Sequence, residues 1–399
     1  MLDPTQPDAS TSKAETGGLL SKEIEQLTPK FMEVVTAQND DVKRDAGVLI
    51  TRKDIQNIRE FVRYANQLPQ DLAQVKQILG ITDTHIPGLE PSDIKDLYSK
   101  IQGSVVFWPG IEKRLKETGA GLIATAGTLR TYGTSLIEQV RHIQDYDATK
   151  KTLGDVSDKD LTDLPDIPLS AEGIRQIPSL VALVNDMVDT IHQQKEKAVS
   201  VNNIIRIMKQ DFRSLESEVA LKRKLSASAS ADDAISSIDL QLTKLSETIA
   251  DRLRQYETFS RYSKIGLLGG LIGFIISQSI YGAEAEFTRK ELANLKAQKA
   301  DLARKLETTN AVMSAMTLLE SELEDMLLRL EDTAASTAHL ESLWLVMISY
   351  IEQSVAQLQK TNSATFLTLF ITRLTVMIDS WAQVKIHSTD LLNAFDDEL

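Results

Sequence analysis

The sequence has no cysteine, which excludes disulfides, thiolate metal sites and a cysteine nucleophile. Basic residues are outnumbered by acids and the net charge is −13. A chain that tracks phosphates needs clustered Lys and Arg, so no nucleic acid is expected as a partner. The same acidity gives no long-range attraction to anionic lipid, and any membrane binding has to rest on apolar contact. Histidine is scarce and scattered: His85, His142, His192, His339 and His387 form no metal-ligand spacing. An apolar leader is missing as well. Met1 to Gly18 has no hydrophobic core segment, so a secreted protein with this start is expected to leave by a route other than a signal peptide.

Helix breakers are distributed unevenly. Up to Pro178 the chain alternates helical patterns with turn signals; beyond it there is no proline. The only glycines beyond it are the five at 266, 269, 270, 273 and 282. Residues 1–20 read as a disordered tail. Residues 21–178 read as the N-terminal helices of a bundle, with a linker rich in aspartate and proline over 147–178. Ser21 to Thr36 has an amphipathic pattern. Thr51 is a good N-cap for a helix through Ile55, Ile58, Val62 and Tyr64 that ends at Leu68-Pro69. A short helix from Asp71 to Leu79 stops at Gly80. After the Pro87–Pro91 turn, Ser92 is expected to cap a helix that runs, kinked near Trp108-Pro109, to about Tyr146.

The rest reads as long helices. Ile235, Ile238, Leu242, Leu245, Ile249, Tyr256 and Phe259 keep one heptad frame, interrupted only by Arg252. A second frame runs from Leu292 and Leu295 to Val355 and Leu358. Of its 20 core positions 15 are apolar, the exceptions being Lys299, Thr309, Glu320, Thr337 and Glu341. The expected architecture is all-α and elongated. It has stalk helices over 179–264 and 284–360, paired as an antiparallel coiled coil, and a last helix over 361–399. Each stalk helix is expected to be one rod of roughly 100 Å, although Ser226 to Asp233 could bend the first.

Between the two stalk helices lies the only long uncharged run, Ile265 to Ala283, nineteen residues reading IGLLGGLIGFIISQSIYGA. As one straight helix it would span about 28 Å, just enough for a bilayer core. As a hairpin it would turn at its glycines, each of which weakens a helix by roughly 1 kcal/mol. The hairpin is the favoured form, because two long paired helices that meet here must reverse direction. Ile265, Leu267, Leu268, Leu271, Ile272, Phe274, Ile275, Ile276, Ile280 and Tyr281 are then the candidate membrane contacts. Gly266, Gly269, Gly270, Gly273 and Gly282 are the candidate hinge residues. Nine Leu, Ile and Phe side chains contribute about −3 to −5 kcal/mol to insertion before the Gly, Ser and Gln penalties. That suits a conditional inserter helped by oligomerisation. Two other readings stay open, a corner buried in the bundle and a permanent single span.

No catalytic, cofactor-binding or metal-binding set is visible, and the chain is expected not to be an enzyme. Gly119-Ala120-Gly121 with Gly127 has the wrong spacing for a nucleotide loop and reads as close helix packing. Lys222-Arg223-Lys224 reads as a solvated basic face. Glu322 and Glu324 read as solvated acids.

One set of residues goes further. Leu49-Ile50-Thr51-Arg52-Lys53-Asp54-Ile55, Tyr64, Leu68-Pro69, Gly88-Leu89-Glu90-Pro91 with Ile94, Leu97 and Tyr98, Trp108 and Ile111-Glu112 form an ordered pattern. In order and spacing it resembles the alpha-xenorhabdolysin family of binary pore-forming cytolysins, in particular the A component, over about residues 45–395. The resemblance implies a cytolysin A-like fold, with a five-helix tail bundle and a stalk ending in a hydrophobic head, here Ile265 to Ala283. It further implies a soluble, secreted subunit that assembles with a B component into a hetero-oligomeric ring on a target-cell bilayer. The alternative is a permanently anchored coiled-coil protein of a cell envelope or secretion machine.

Overall fold

The computed structural model describes residues 31, 33–35, 45, 47, 49–81, 84–156, 159, 161–268 and 282–396. The side chains of 162, 259–268, 361, 382–384, 387, 390, 391, 394 and 396 are left out of the description. The expected N-terminal tail, and most of the amphipathic stretch after it, lie outside the described residues. Of the latter, Phe31, Val34 and Val35 are helical and buried.

Ten α-helices are described. Thr51 starts α1 (Arg52–Gln67): its hydroxyl accepts the Asp54 N–H at 3.1 Å while the Asp54 carboxylate accepts the Thr51 N–H, a reciprocal cap. Leu68 ends it. Asp71 caps α2 (Leu72–Leu79), and Gly80 closes that helix at φ +65°, a left-handed conformation that glycine adopts without strain. α3 (Pro91–Val105) starts from Glu90 rather than from Ser92, because Pro91 already occupies the first helical position, where its missing N–H costs nothing. Where one kinked helix was expected, the chain breaks at Val106-Phe107 and starts again as α4 (Trp108–Arg141), with Pro109 in its first turn. α5 (Gln144–Leu153) and α6 (Ala171–Ser228) both reach into the expected linker, which narrows to residues 154–170. Pro178 sits inside α6.

Then come α7 (Asp233–Leu268), α8 (Ala283–Leu306), α9 (Ala311–Thr361) and α10 (Ala364–Asp396). Strands are missing from the described residues; one isolated bridge, Pro168 to Ser363, ties the 154–170 segment to the α9–α10 turn.

The packing rests on one long antiparallel pair, α6 with α9, whose members are about 87 and 77 Å long by helical rise. Lys209 meets Glu331 and Arg223 meets Glu320, which sets the direction. α4 and α10 cover one part of this pair and α1 another. The core runs through all of them. Phe61 meets Phe212 edge-on at 5.6 Å, and Trp344 stacks on Trp381 at 4.6 Å. Of the small residues of α4 expected to pack closely, Gly121 does, since a Cβ there would come within 2.6 Å of Gln194, whereas Gly127 has nothing within 4 Å. Gly133 is a further close approach, where a Cβ would come within 2.3 Å of Ile378.

The two expected stalk rods are each broken. Residues 229–232 turn the chain between α6 and α7, where the sequence left room for a bend. Residues 307–310 turn it between α8 and α9, where no break was expected. Each turn is a reversal. Arg223 of α6 pairs with Asp239 of α7, and Ser314 of α9 donates to the Ala303 carbonyl of α8 at 2.8 Å. The α7–α8 pair is therefore folded back along α6 and α9.

The candidate membrane-engaging head and the helices that hold it

α7 and α8 run antiparallel. Arg252 Nε lies 2.8 Å from Glu291 Oε2, and Lys299 Nζ lies 3.2 Å from Ser246 Oγ. Their far ends are joined by residues 269–281. Of the candidate membrane contacts, Leu271, Ile272, Phe274, Ile275, Ile276, Ile280 and Tyr281 lie outside the described residues, as do Gly269, Gly270 and Gly273. Ile265, Gly266, Leu267 and Leu268 form the last backbone turn of α7, and Gly282 is the N-cap of α8. Among the described residues no helix is long and apolar enough to cross a membrane.

The contact between the α7–α8 pair and the body is part apolar and part ionic. Near the two turns Ile235, Leu242, Leu302, Leu306, Met313 and Ala227 form a small apolar cluster of their own. Next to it lies a charged layer that joins α6, α7, α8 and α9. Arg223, fully buried, reaches Glu320 at 2.9 Å and also pairs with Asp239. Lys299, equally buried, lies 3.3 Å from Glu320 and 2.9 Å from Glu324. Ser246 donates to Glu320 at 2.7 Å. Glu324 is pushed up to about 8 by its burial, with Lys299 opposing that shift and Glu320 adding to it. Glu216 is raised too, first by burial and then by Glu320.

A second polar layer sits closer to the head. Tyr256 of α7 donates to Asp332 of α9, and Arg289 of α8 reaches the same carboxylate at 3.1 Å while lying over the Tyr256 ring. Burial works against the Arg289 charge, but Asp332 and Tyr256 outweigh it and hold the guanidinium charged. Arg329, one turn before Asp332, lies 2.9 Å from Asp54, the partner of Thr51 in the reciprocal cap of α1. A third contact ties Glu257 of α7 to Lys209 and Arg213 of α6. The helices that lead into the candidate head are thus pinned to the body through polar contacts.

Two sequence expectations are corrected here. Lys222-Arg223 is not a solvated face: Arg223 has no exposure, and Lys222 is buried with its ammonium 2.8 Å from the Gly88 carbonyl. Glu324 is buried rather than solvated, because α8 folds over it. The exceptions in the second heptad frame were the signal that sequence reading passed over. Lys299 and Glu320 are paired to each other, Thr309 falls in the 307–310 turn, and Thr337 is buried with its hydroxyl on the Thr333 carbonyl.

No protein-family model matches the chain, and neither does any curated protein sequence. Among solved structures it is similar to YaxA from Yersinia enterocolitica, at 24% identity and TM-score 0.46 over 87% of this chain and 97% of that one. It is also similar to the XaxAB pore complex from Xenorhabdus nematophila, at 21% identity and TM-score 0.42 over 88% and 98%. Soluble SmhA of the tripartite alpha-pore forming toxin from Serratia marcescens matches at 12% identity and TM-score 0.45, over 96% and 95%. These likenesses run nearly the length of the chain.

Proposed function

We propose that this chain is one subunit of a binary pore-forming cytotoxin, not an enzyme, and that α7–α8 carries its membrane-engaging head in a folded-back storage form. One observation carries the reading: an uncharged, glycine-rich run of nineteen residues joins the far ends of an antiparallel helix pair laid against a long bundle. The antiparallel direction of α7 and α8 supports a hairpin over Ile265 to Ala283 and speaks against a straight span.

The two turns support release of that pair. Ala229-Ser230-Ala231-Asp232 and Glu307-Thr308-Thr309-Asn310 contain neither glycine nor proline, the residues that most strongly oppose helix. The apolar frame from Leu292 to Leu358 also keeps its phase through the second turn. Both turns can therefore become helical, joining α6 to α7 and α8 to α9 into continuous rods with the head at their tip. The marginal insertion energy of a single head fits delivery in an oligomer with a second component of the B type, the partner class that the family resemblance implies. A secreted subunit that stays out of lipid until its stalk straightens, and then lyses a target cell, follows from the same reading.

The cysteine-free background makes a direct test possible. A cysteine pair at Ala303 and Ser314 bridges α8 to α9 across the 307–310 turn. Once oxidised, it is expected to abolish association with phosphatidylcholine liposomes, and reduction is expected to restore it. Equal association in both redox forms would contradict release of the folded-back pair.

A further inference from the structure

The charged layer beneath the folded-back pair holds more than a set of ion pairs needs. It joins α6, α7, α8 and α9 close to both turns, and two of its buried atoms, Glu324 Oε2 and Arg223 Nη2, have no hydrogen-bond partner. Glu324 also lines a cavity of about 300 Å³ between the start of α1 and the α8–α9 pair.

Counting charges around Glu324 defines what the layer lacks. From α6 it is faced by Glu216, while Arg223 of α6 enters the layer through Glu320 and Asp239 of α7. From α8 come Lys299 and, on the cavity side, Lys296, Arg289, Lys290 and Glu286. α9 itself adds Glu320, and across the cavity Asp325, Arg329 and Asp332; the α1 side adds Lys53, Asp54 and Asp45. Several of these already close on one another outside the layer: Lys296 on Glu322 and Asp325, Arg289 on Asp332, and Arg329 on Asp54. Within it, Arg223 and Lys299 are matched by Glu320 and Asp239, so charges on Glu324 and on Glu216 are both in excess. Oxygens of Glu216, Glu320 and Glu324 lie within 4.8 Å of one another, but the Lys299 ammonium is already placed against two of the three carboxylates. Protons on Glu324 and Glu216 balance the layer without displacing Lys299, as a metal ion would have to.

We infer that this layer is a proton-governed lock: with Glu324 protonated the α7–α8 pair stays folded back, and loss of that proton loosens it. The direction follows from linkage. A glutamate in water ionises near its ordinary value of 4.5, whereas Glu324 in the packed layer is shifted up to about 8. Between those values the folded-back form holds a proton that the released form does not. Its advantage is therefore fullest at the acid end and falls as pH rises through the window. Acid tightens this lock, and neutral to alkaline solution loosens it.

The inference concerns control of the same head and rests on the storage role proposed above. It is nevertheless read in buffer without lipid, so its failure leaves the pore-subunit reading intact. The test is hydrogen exchange of the full-length chain from pH 5 to 8.5, with rates corrected for the intrinsic pH dependence of exchange. Opening of α7 and α8 is expected to increase by up to about tenfold per pH unit between pH 5 and 7.5, while α4 and α10 stay flat. Glu324→Gln is expected to remove most of that slope, and Glu216→Gln with Glu324→Gln all of it. Their helicity and melting at pH 5.5 check that both variants fold. A flat wild-type profile, a slope shared equally by α4 and α10, or a slope retained in the double variant would each overturn the lock. The wild-type profile decides even if a variant fails to fold.

Discussion

At the residue scale the folded-back form depends on charges placed where a heptad frame calls for apolar side chains. Lys299 and Glu320 are both core positions, ten and eleven residues on either side of Thr309. Two opposite charges at nearly equal distances from a polar residue on one frame are brought together by a reversal near that residue. The Lys299–Glu320 pair at 3.3 Å is that contact. Arg223 is the clearest point of stress. Removing one member of a buried pair leaves the other uncompensated, so Arg223→Ala is expected to cost about 3–5 kcal/mol. Replacing both, as Arg223→Met with Glu320→Leu, is expected to cost less. Urea unfolding of the three chains checks this; equal losses for the single and the double replacement would show that the pair is not the source. At the other end of the described chain, Thr51→Ala removes the reciprocal cap of α1 and is expected to lower stability by about 1 kcal/mol. Urea unfolding measures that too, and an unchanged midpoint would mean that the Arg329 contact to Asp54 holds α1 by itself.

At the element scale the helices were more legible than the breaks between them. Thr51, Asp71, Gly80 and Leu68-Pro69 mark boundaries by local chemistry, and the structure places helix ends there. The last helix, with Phe366, Phe370, Leu374, Ile378 and Trp381 buried, was legible from its period alone. The 307–310 turn was not legible in that way. Its residues are compatible with helix and the frame crosses it in phase, so local preference and pattern both pointed to a continuous rod. Tertiary contacts decide instead: Asn310 caps α9 by accepting the Met313 N–H at 2.9 Å, and the Ser226 hydroxyl of α6 donates to the same side-chain oxygen. The burial of Lys222 and Arg223 escapes local pattern for a related reason. A basic triplet on a helix is usually solvated, and only the return of α7 and α9 over it makes its middle residue interior. Substituting Asn310 by Ala removes the cap together with the contact to Ser226. It is expected to shift the chain toward the straightened form, seen as loss of exchange protection confined to α7, α8 and the start of α9. Uniform loss across all helices would mean general destabilisation instead.

At the scale of the whole molecule, a second helix pair is laid along the long α6–α9 pair, with the only long uncharged run of the chain joining its far ends. That arrangement separates the toxin reading from a permanent anchor. Paired α7 and α8 cannot lie on opposite sides of a bilayer, whereas an anchor spanning at Ile265 to Ala283 would place them there. Fractionation of the producing cell is expected to find the chain outside the membrane pellet, and recovery only with detergent would favour the anchor.

The measurement that reaches furthest is flotation of the purified chain with liposomes, comparing wild type with Ile275→Glu at the centre of the uncharged run. Wild type is expected to float and the variant to remain at the bottom of the gradient. Equal flotation of both would place the membrane contact elsewhere on the molecule and contradict the head assignment.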